Sequence, residues 1–429
     1  MTAYKPFIFK LNKPNIDKIY SDNSVIHSSN INQPLISLGF HSFIHRTREA
    51  MSITQKLETK NEFYYVVNPF ENRINDYDKD IDHITDVFLN KPNIVSRHFY
   101  KIWEILYMFD IASMDKMSMA GLGDETGAII QAFVEFREQY FDPSKDTVYG
   151  MTRDDMIDMK MVNAMNERYD KMIEIIKTNI KPKKTTKKLT TDGDMTNIKT
   201  VEYLRDHIKE GTDLVIADGS KEWHNKNYIE QEAYGLILGE ILSAINILNK
   251  DGSFVLKVYD TFTHITIKII YLLTSFFDTV YIYKPFTSRN TNNEKYIVCK
   301  GFNYNHKDPS IVKKIKPLEE ALIKCRSDHY INDMFPKFIL DDKEIEPFKY
   351  INIMLVNVQQ IYINKVITYI KSNNYFGDMY HSYRDQQINA NKWWIDNYLS
   401  DKLNDKTALI KETCSYNESE MGLFLKKLI

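Results

Sequence analysis

From Ser96 to Asp110 the run SRHFYKIWEILYMFD repeats apolar residues at helical spacing, which predicts an amphipathic helix. A short apolar segment, KMSMAGLG, runs into glycine and acidic residues, and TGAIIQAFVEFREQYF is helical again. The order is strand, glycine-rich turn, helix. The alternation continues downstream. DTVYGMT reads as a short strand, TDLVIAD as a buried strand, EQEAYGLILGEILSAINIL as a helix and Asn249 to Gly252 as a turn. SFVLKVYD then reads as a strand, THITIKIIYLLTSFF as a helix, and TVYIYKP and EKYIVCKGF as strands. Strands and helices alternating over roughly 200 residues predict an α/β fold, a mostly parallel sheet with helices on both faces.

The flanks lack this pattern. Residues 1–90 are a polar mixture with Asn, Pro and Asp turns and read as an N-terminal extension. Residues 306–429 are long helical stretches with Tyr, Trp and charges, and read as a separate, mainly α-helical region suited to docking. On that reading residues 1–305 alone should keep their ligand. One insertion, residues 160–190, holds a Met-rich helix and then KTNIKPKKTTKKLTT. Its lysines at 181–188 read either as a solvated loop or as a phosphate-binding loop.

Composition narrows the picture only modestly. The 429 residues are 43% hydrophobic and 27% charged, ordinary for a soluble globular protein with more than one structural unit. A net charge of −2 gives no global polyanion signal, so any nucleic-acid surface must come from local clusters. Cys299, Cys325 and Cys414 form no CxxC pair, which argues against a disulfide framework or a Cys-rich zinc site and for a reducing compartment. MTAYKPFIFK has no apolar signal core. Ile265 to Phe277 is too short for a membrane span of about 20 residues and reads as a buried helix. The abundance of Lys, Asn, Ile and Tyr reads as coding bias from an AT-rich genome. The eleven His are scattered, and each reads as an ordinary surface or core residue.

Four segments carry candidate chemistry. In AGLGDETGAI, Gly121, Gly123 and Gly127 follow a strand and open a helix, where backbone can approach a ligand. A tight turn or a dinucleotide site would look similar. Asp218 ends a buried strand, the position at which open α/β sheets bind ligands, although it can equally cap a helix. Lys257 lies within the apolar run FVLKV, where a lysine is uncommon unless paired or functional. Ser288, Arg289, Asn292 and Glu294 lead into the last apolar strand with a composition unlike an ordinary hairpin turn.

Together these segments resemble the FtsJ-like RNA 2′-O-ribose methyltransferases, and within them the cap-specific mRNA branch. That family carries a Lys-Asp-Lys-Glu tetrad on a Rossmann-like sheet. SRHFYKIWEI resembles the first motif and supplies Lys101, DLVIADG supplies Asp218, FVLKVYD supplies Lys257, and KPFTSRNTNNEKYIVCKGF supplies Glu294. The resemblance implies a Rossmann-like S-adenosylmethionine-dependent methyltransferase domain over residues 91–305. VYGMT and TDGDMT support the cap branch, and Asp194 rather than Asp192 is expected to read the cofactor's adenine amino group. The implied cofactor residues are Gly121, Gly123, Asp124, Gly127, Asp194 and Asp218, and the implied substrate residues are Ser288, Arg289 and Asn292. One departure is Glu125-Thr126-Gly127 where the family usually has Pro-Gly-Gly, leaving Asp124 or Glu125 to bind the cofactor's ammonium.

The implied substrate is capped mRNA, with other capping or transcription proteins as partners and no membrane. The implied location is the cytoplasm, or a virion if the composition reflects a large DNA virus. Three alternatives stand beside it: methylation of another RNA such as rRNA, a non-catalytic RNA-binding subunit, and an NAD-dependent oxidoreductase. The chemistry fits the tetrad. A ribose hydroxyl needs a base within about 3 Å, and a lysine serves as that base only when neutral. A second ammonium and burial lower its pKa from ~10.4, while a paired carboxylate raises it. No metal is required.

Overall fold

The computed structural model describes residues 6–14, 19, 24–31, 36, 38–56, 66–71, 88–153, 157, 159–169, 172–176, 192–325 and 330–399. The lysine-rich run 181–188 lies outside them. In chain order the strands are β1 (Phe7–Lys10), β2 (Val25–Ser28), β3 (Ser118–Leu122), β4 (Thr147–Met151), β5 (Ile173–Ile175), β6 (Thr212–Ala217), β7 (Leu248–Val258), β8 (Phe277–Lys284), β9 (Lys295–Phe302) and β10 (Tyr330–Met334). The helices are α1 (Leu38–Ala50), α2 (His98–Phe109), α3 (Ala128–Tyr140), α4 (Met159–Arg168), α5 (Ile198–His207), the short α6 (Ile229–Glu232), α7 (Tyr234–Ile247), α8 (His264–Leu273), α9 (Pro309–Lys324), α10 (Asp342–Ser372) and α11 (Asp378–Tyr398).

Eight strands form one sheet in the order β1-β8-β9-β7-β6-β3-β4-β5. The pairs β3–β4, β4–β5, β3–β6 and β6–β7 are parallel; β9 runs antiparallel between β7 and β8, and β1 is antiparallel to β8. Both faces are covered, which is why the strands read as continuous apolar runs. Leu214, Ile216, Val255 and Val298 face one core with α2 and α3; Val215, Ala217, Phe254, Leu256, Ile297 and Cys299 face the other with α7 and α8. No helix among the described residues is long and apolar enough to cross a membrane.

The structure departs from the sequence reading in three places. The expected turn at Asn249–Gly252 is drawn into β7, with Asp251 in the left-handed region at φ 66° and a register shift against β6. Strand β5, only three residues long, had too little pattern to be seen. The third departure concerns the flanks, which are not separate packing units. Residues 7–10 supply the edge strand of the main sheet. Strand β10 pairs with β2, and α9 packs on α7. On the opposite face Trp394 and Tyr398 of α11 are buried with Tyr100, Trp103 and Tyr107 of α2. The C-terminal segment lacks strand–helix alternation because it wraps a sheet that already exists, covering both of its faces.

Candidate active site

Asp218 is the first residue beyond β6, and its backbone N–H donates to the Leu122 carbonyl of β3 (3.0 Å). Lys257 is the penultimate residue of β7, the next strand of the sheet. Its Nζ is ion-paired with Asp218 Oδ1 and donates to the Asp218 carbonyl (3.1 Å). Tyr296, opposite Lys257 on β9, donates its hydroxyl to Asp218 Oδ2 (3.0 Å). Lys101, in the first turn of α2, pairs with Glu294, which immediately precedes β9. Ser288 Oγ donates to Glu294 Oε1 (2.8 Å). The four tetrad residues thus form two lysine–carboxylate pairs close enough to perturb one another, at a crevice that Asp218 lines, with Lys101 3% and Lys257 6% exposed.

The two amines respond oppositely. Burial pulls Lys101 down, and the attraction of Glu294 and Asp218 does not restore it, so its pKa lies below the ordinary lysine value. Burial pulls Lys257 down as well, but Asp218, Tyr259 and Glu294 more than reverse it and hold it above that value. Burial alone would raise both carboxyls. Lys257, His98 and Lys101 bring Asp218 below its usual range, and Lys101, Lys284 and His98 do the same to Glu294. Of the opposing influences that the sequence leaves open for Lys257, the carboxylate in direct contact outweighs the like charge of Lys101.

His98 was not singled out by sequence, yet its Nε2 lies 3.7 Å from Asp218 Oδ2 and its ring lines the crevice. Asp218 draws its pKa up, but burial and the two lysines outweigh this and leave it below the ordinary value.

Two cavities meet at this sheet edge. The larger, about 700 Å³, is lined by Gly123, Glu125, Asp194, Met195, Gly219 and Tyr234, and also by Cys325, Tyr330 and Ile331 from the C-terminal segment. The smaller, about 170 Å³, contains His98, Asp124 and Asp218. Gly123, Glu125 and Ser220 line both, and Ser220 Oγ donates to Glu125 between them (2.9 Å). Gly123 has φ 71°, and a Cβ there would stand 2.5 Å from Gly219 Cα, so this turn accepts only glycine. Gly127 has φ 84° and opens α3. Asp194 lines the larger cavity, with its Oδ1 accepting from the Thr196 N–H (2.9 Å) and hydroxyl.

Several sequence-nominated residues have other work. Gly121 lies inside β3, where its missing side chain lets Ile129 of α3 approach; it lines neither cavity. Asp124 is turned inward, accepting from the backbone N–H groups of Gly127, Ile129 and Ile130 (2.8–3.2 Å), and so caps α3; burial pushes its carboxyl up to about 7. That occupation leaves Glu125 as the better candidate for an incoming ammonium. Ser288 is buried and holds Glu294. Arg289 donates to both carboxylate oxygens of Glu71 (2.8–3.1 Å), and Asn292 Oδ1 accepts from Lys284 Nζ (2.6 Å). In this structure all three hold the 285–294 loop.

Glu104, in the same motif as Lys101, is fully buried and accepts from Tyr283 Oη, the Phe286 and Thr287 N–H groups and Trp394 Nε1 (2.8–3.0 Å). It ties α2, the 285–294 loop and α11 together. Glu71 binds Arg97 as well as Arg289, and Arg97 also donates to the Thr287 carbonyl (2.8 Å). Beneath the Asp218 turn, Glu240 accepts from the Gly219 N–H (2.9 Å), and burial pushes its carboxyl up to about 8.

Residues 94–302 match the model of the FtsJ-like methyltransferase family. The chain is 27% identical over 213 residues to cap-specific mRNA (nucleoside-2′-O-)-methyltransferase 1 of Caenorhabditis elegans, covering 47% of this chain and 23% of that protein. It is 26% identical over 255 residues to cap-specific mRNA (nucleoside-2′-O-)-methyltransferase 2 of Drosophila melanogaster, covering 58% and 35%. The chain therefore spans only a minor part of the length of these relatives. A solved structure described as a putative ribosomal RNA methyltransferase from Plasmodium falciparum aligns at 20% identity with a TM-score of 0.36, over 48% of this chain and 98% of that one.

Proposed function

We propose that this chain, whose residues 94–302 form an FtsJ-like methyltransferase domain, methylates the ribose 2′-hydroxyl of the first transcribed nucleotide of capped mRNA, with S-adenosylmethionine as donor. The observation that carries the reading is the meeting of two buried lysine–carboxylate pairs beside a glycine-walled cavity at the carboxyl edge of the sheet.

The cavity fits such a cofactor. Gly123 and Gly219 line the cavity and let the two turns that bound it approach each other closely, Asp194 offers acceptors toward an adenine amino group, and Glu125 offers a carboxylate for an ammonium. When bound, S-adenosylmethionine supplies an electrophilic methyl carbon on a positively charged sulfur. This chain's residues do the rest. Lys101 and Glu294 orient the ribose through hydrogen bonds, so that attack is in line. Lys257 takes the hydroxyl proton at Nζ, and Asp218, fixed by Tyr296, aims that amine. Because Asp218 favours the charged amine, only the neutral fraction of Lys257 is competent, and that fraction rises tenfold per pH unit below its pKa.

The test is to incubate the full chain with isotopically labelled cofactor and matched capped and uncapped RNA, then digest and identify the labelled nucleotide. Label on the 2′-oxygen of the first nucleotide of capped RNA is expected. Equal labelling of uncapped RNA would overturn the cap assignment, and label on a base would overturn the ribose assignment.

A further inference from the structure

Beside Lys257 the two loops leaving β6 and β7 bring four side chains into one continuous run. Lys221 Nζ lies 5.3 Å from the centroid of the Trp223 ring. Trp223 meets Tyr259 edge to face, with centroids 5.3 Å apart and planes at 78°. Tyr259 in turn lies under Lys257, whose Nζ is 5.9 Å from its centroid. The order is cation, ring, ring, cation, and its inner end is the amine to which the proton transfer is assigned above. Both rings are partly buried and packed on the apolar core. Lys221 is exposed and lines the rim of the large cavity.

We propose that this Lys221–Trp223–Tyr259–Lys257 run is the platform on which the base of the acceptor nucleotide stacks. The inference rests on the 2′-O-methylation reading and adds to it the element that holds the RNA. A ribose whose 2′-oxygen rests on Lys257 Nζ carries its base one ring-width away, the interval that separates that amine from Tyr259. Proteins that bind single-stranded RNA commonly hold unstacked bases on aromatic faces and pair those faces with cations that follow the phosphates. Here the aromatic faces stand next to the reacting amine, and Lys221 is the cation at the outer end. Anchoring of the rings in the core means that little freedom is lost on binding. Two of the other three tryptophans contrast with this: Trp103 and Trp394 are fully buried and spend their indole N–H groups on the Tyr398 carbonyl and Glu104, while Trp393 is partly buried against Phe70 and Phe286.

The experiment measures binding of a short RNA to the full chain by intrinsic tryptophan fluorescence, together with single-turnover methyl transfer and cofactor calorimetry. Wild-type emission should be quenched by uncapped oligonucleotide as well as capped, and the quench should vanish in Trp223→Phe. Trp223→Ala should weaken RNA affinity about ten- to a hundredfold, leave cofactor affinity unchanged, and leave the rate at saturating RNA within a few-fold. Trp223→Phe should recover most of the affinity, because stacking needs the ring and not the indole. Lys221→Gln should lower the salt slope of binding by about one. Wild-type affinity in Trp223→Ala would overturn the proposal, as would failure of Trp223→Phe to rescue it. A quench by a 7-methylguanosine cap dinucleotide with none by uncapped RNA would also overturn it, assigning the rings to the cap instead. If Trp223→Ala does not fold, the wild-type quench and its loss in Trp223→Phe still decide. RNA-dependent quenching with no methyl transfer to any RNA would refute the reaction while leaving the platform standing.

Discussion

Lys257 and Asp218 stand on neighbouring parallel strands, whereas Lys101 and Glu294 come from a helix and a loop that no strand ladder joins. The first pair is placed by the sheet itself: Ala217 lies opposite Leu256 in the ladder, and the next residues carry the pair. The second is placed by packing between distant segments. Glu104 gathers the helix, the loop and Trp394, while Glu71 from the N-terminal flank clamps Arg97 and Arg289. The contrast extends to charge, since the strand-borne lysine is held above its ordinary pKa and the helix-borne one below it. The strand-borne half is set by the sheet ladder, and the packed half depends on parts of the chain outside the α/β alternation.

The largest effect expected from this contrast is that of Lys257→Arg. Arginine keeps the charge but stays protonated, so single-turnover methyl transfer should fall below detection while cofactor affinity measured by calorimetry stays near wild type. Lys101→Arg should keep measurable activity, because the role assigned to Lys101 is positional. Equal loss in both variants would erase the distinction between the halves.

Next in size is truncation after residue 305. The sequence alone leads one to expect such a fragment to keep its ligand, whereas the packing of the C-terminal segment leads to the opposite prediction. The cut removes Trp394 and Tyr398 from one core and α9 from the other, and it strips Cys325, Tyr330 and Ile331 from the cavity. The fragment should aggregate or show no cooperative melting transition, and it should lose cofactor binding. A fragment that melts cooperatively and binds cofactor normally would restore the independent-region view.

A smaller effect is expected from Trp394→Phe, which removes one of the four donors to the buried Glu104 carboxylate. A missing donor of this kind costs about 1–3 kcal/mol, so the melting temperature should drop by several degrees. Methyl transfer should fall more than cofactor affinity, because Glu104 supports the Lys101–Glu294 side. Equal, small losses in both would mean that Glu104 stabilises the fold without positioning the loop.

How far the sequence could be read follows the same division. The sheet from β3 to β9, β5 apart, is legible because strands buried on both faces leave apolar runs, and Asp218 and Lys257 are legible as polar residues ending or interrupting those runs. Glu294 and Lys101 were reached through motifs, and the structure brings them together. What could not be read were partners far apart in the chain. Nothing local in Glu71 or Trp394 marks them as clamps, since their meaning lies in Arg289 and Glu104, about two hundred or more positions away in each case. Ser288, Arg289 and Asn292 were conspicuous by composition, but composition does not say whether a polar side chain faces solvent or a buried carboxylate. His98 was passed over because a lone histidine in a helical run carries no signal until Asp218 is seen beside it.

Lys257 is proposed to accept the ribose proton through the small neutral fraction that Asp218 leaves it. The most direct measurement is the single-turnover rate of methyl transfer to capped RNA as a function of pH with cofactor and RNA saturating. With the acceptor's pKa above the ordinary lysine value of ~10.4, its neutral fraction keeps growing through the working range. The logarithm of the rate should therefore climb with unit slope from neutrality to about pH 10 without levelling. A plateau near neutral pH, or a rate independent of pH, would move the proton to the lowered amine of Lys101 or away from lysine altogether.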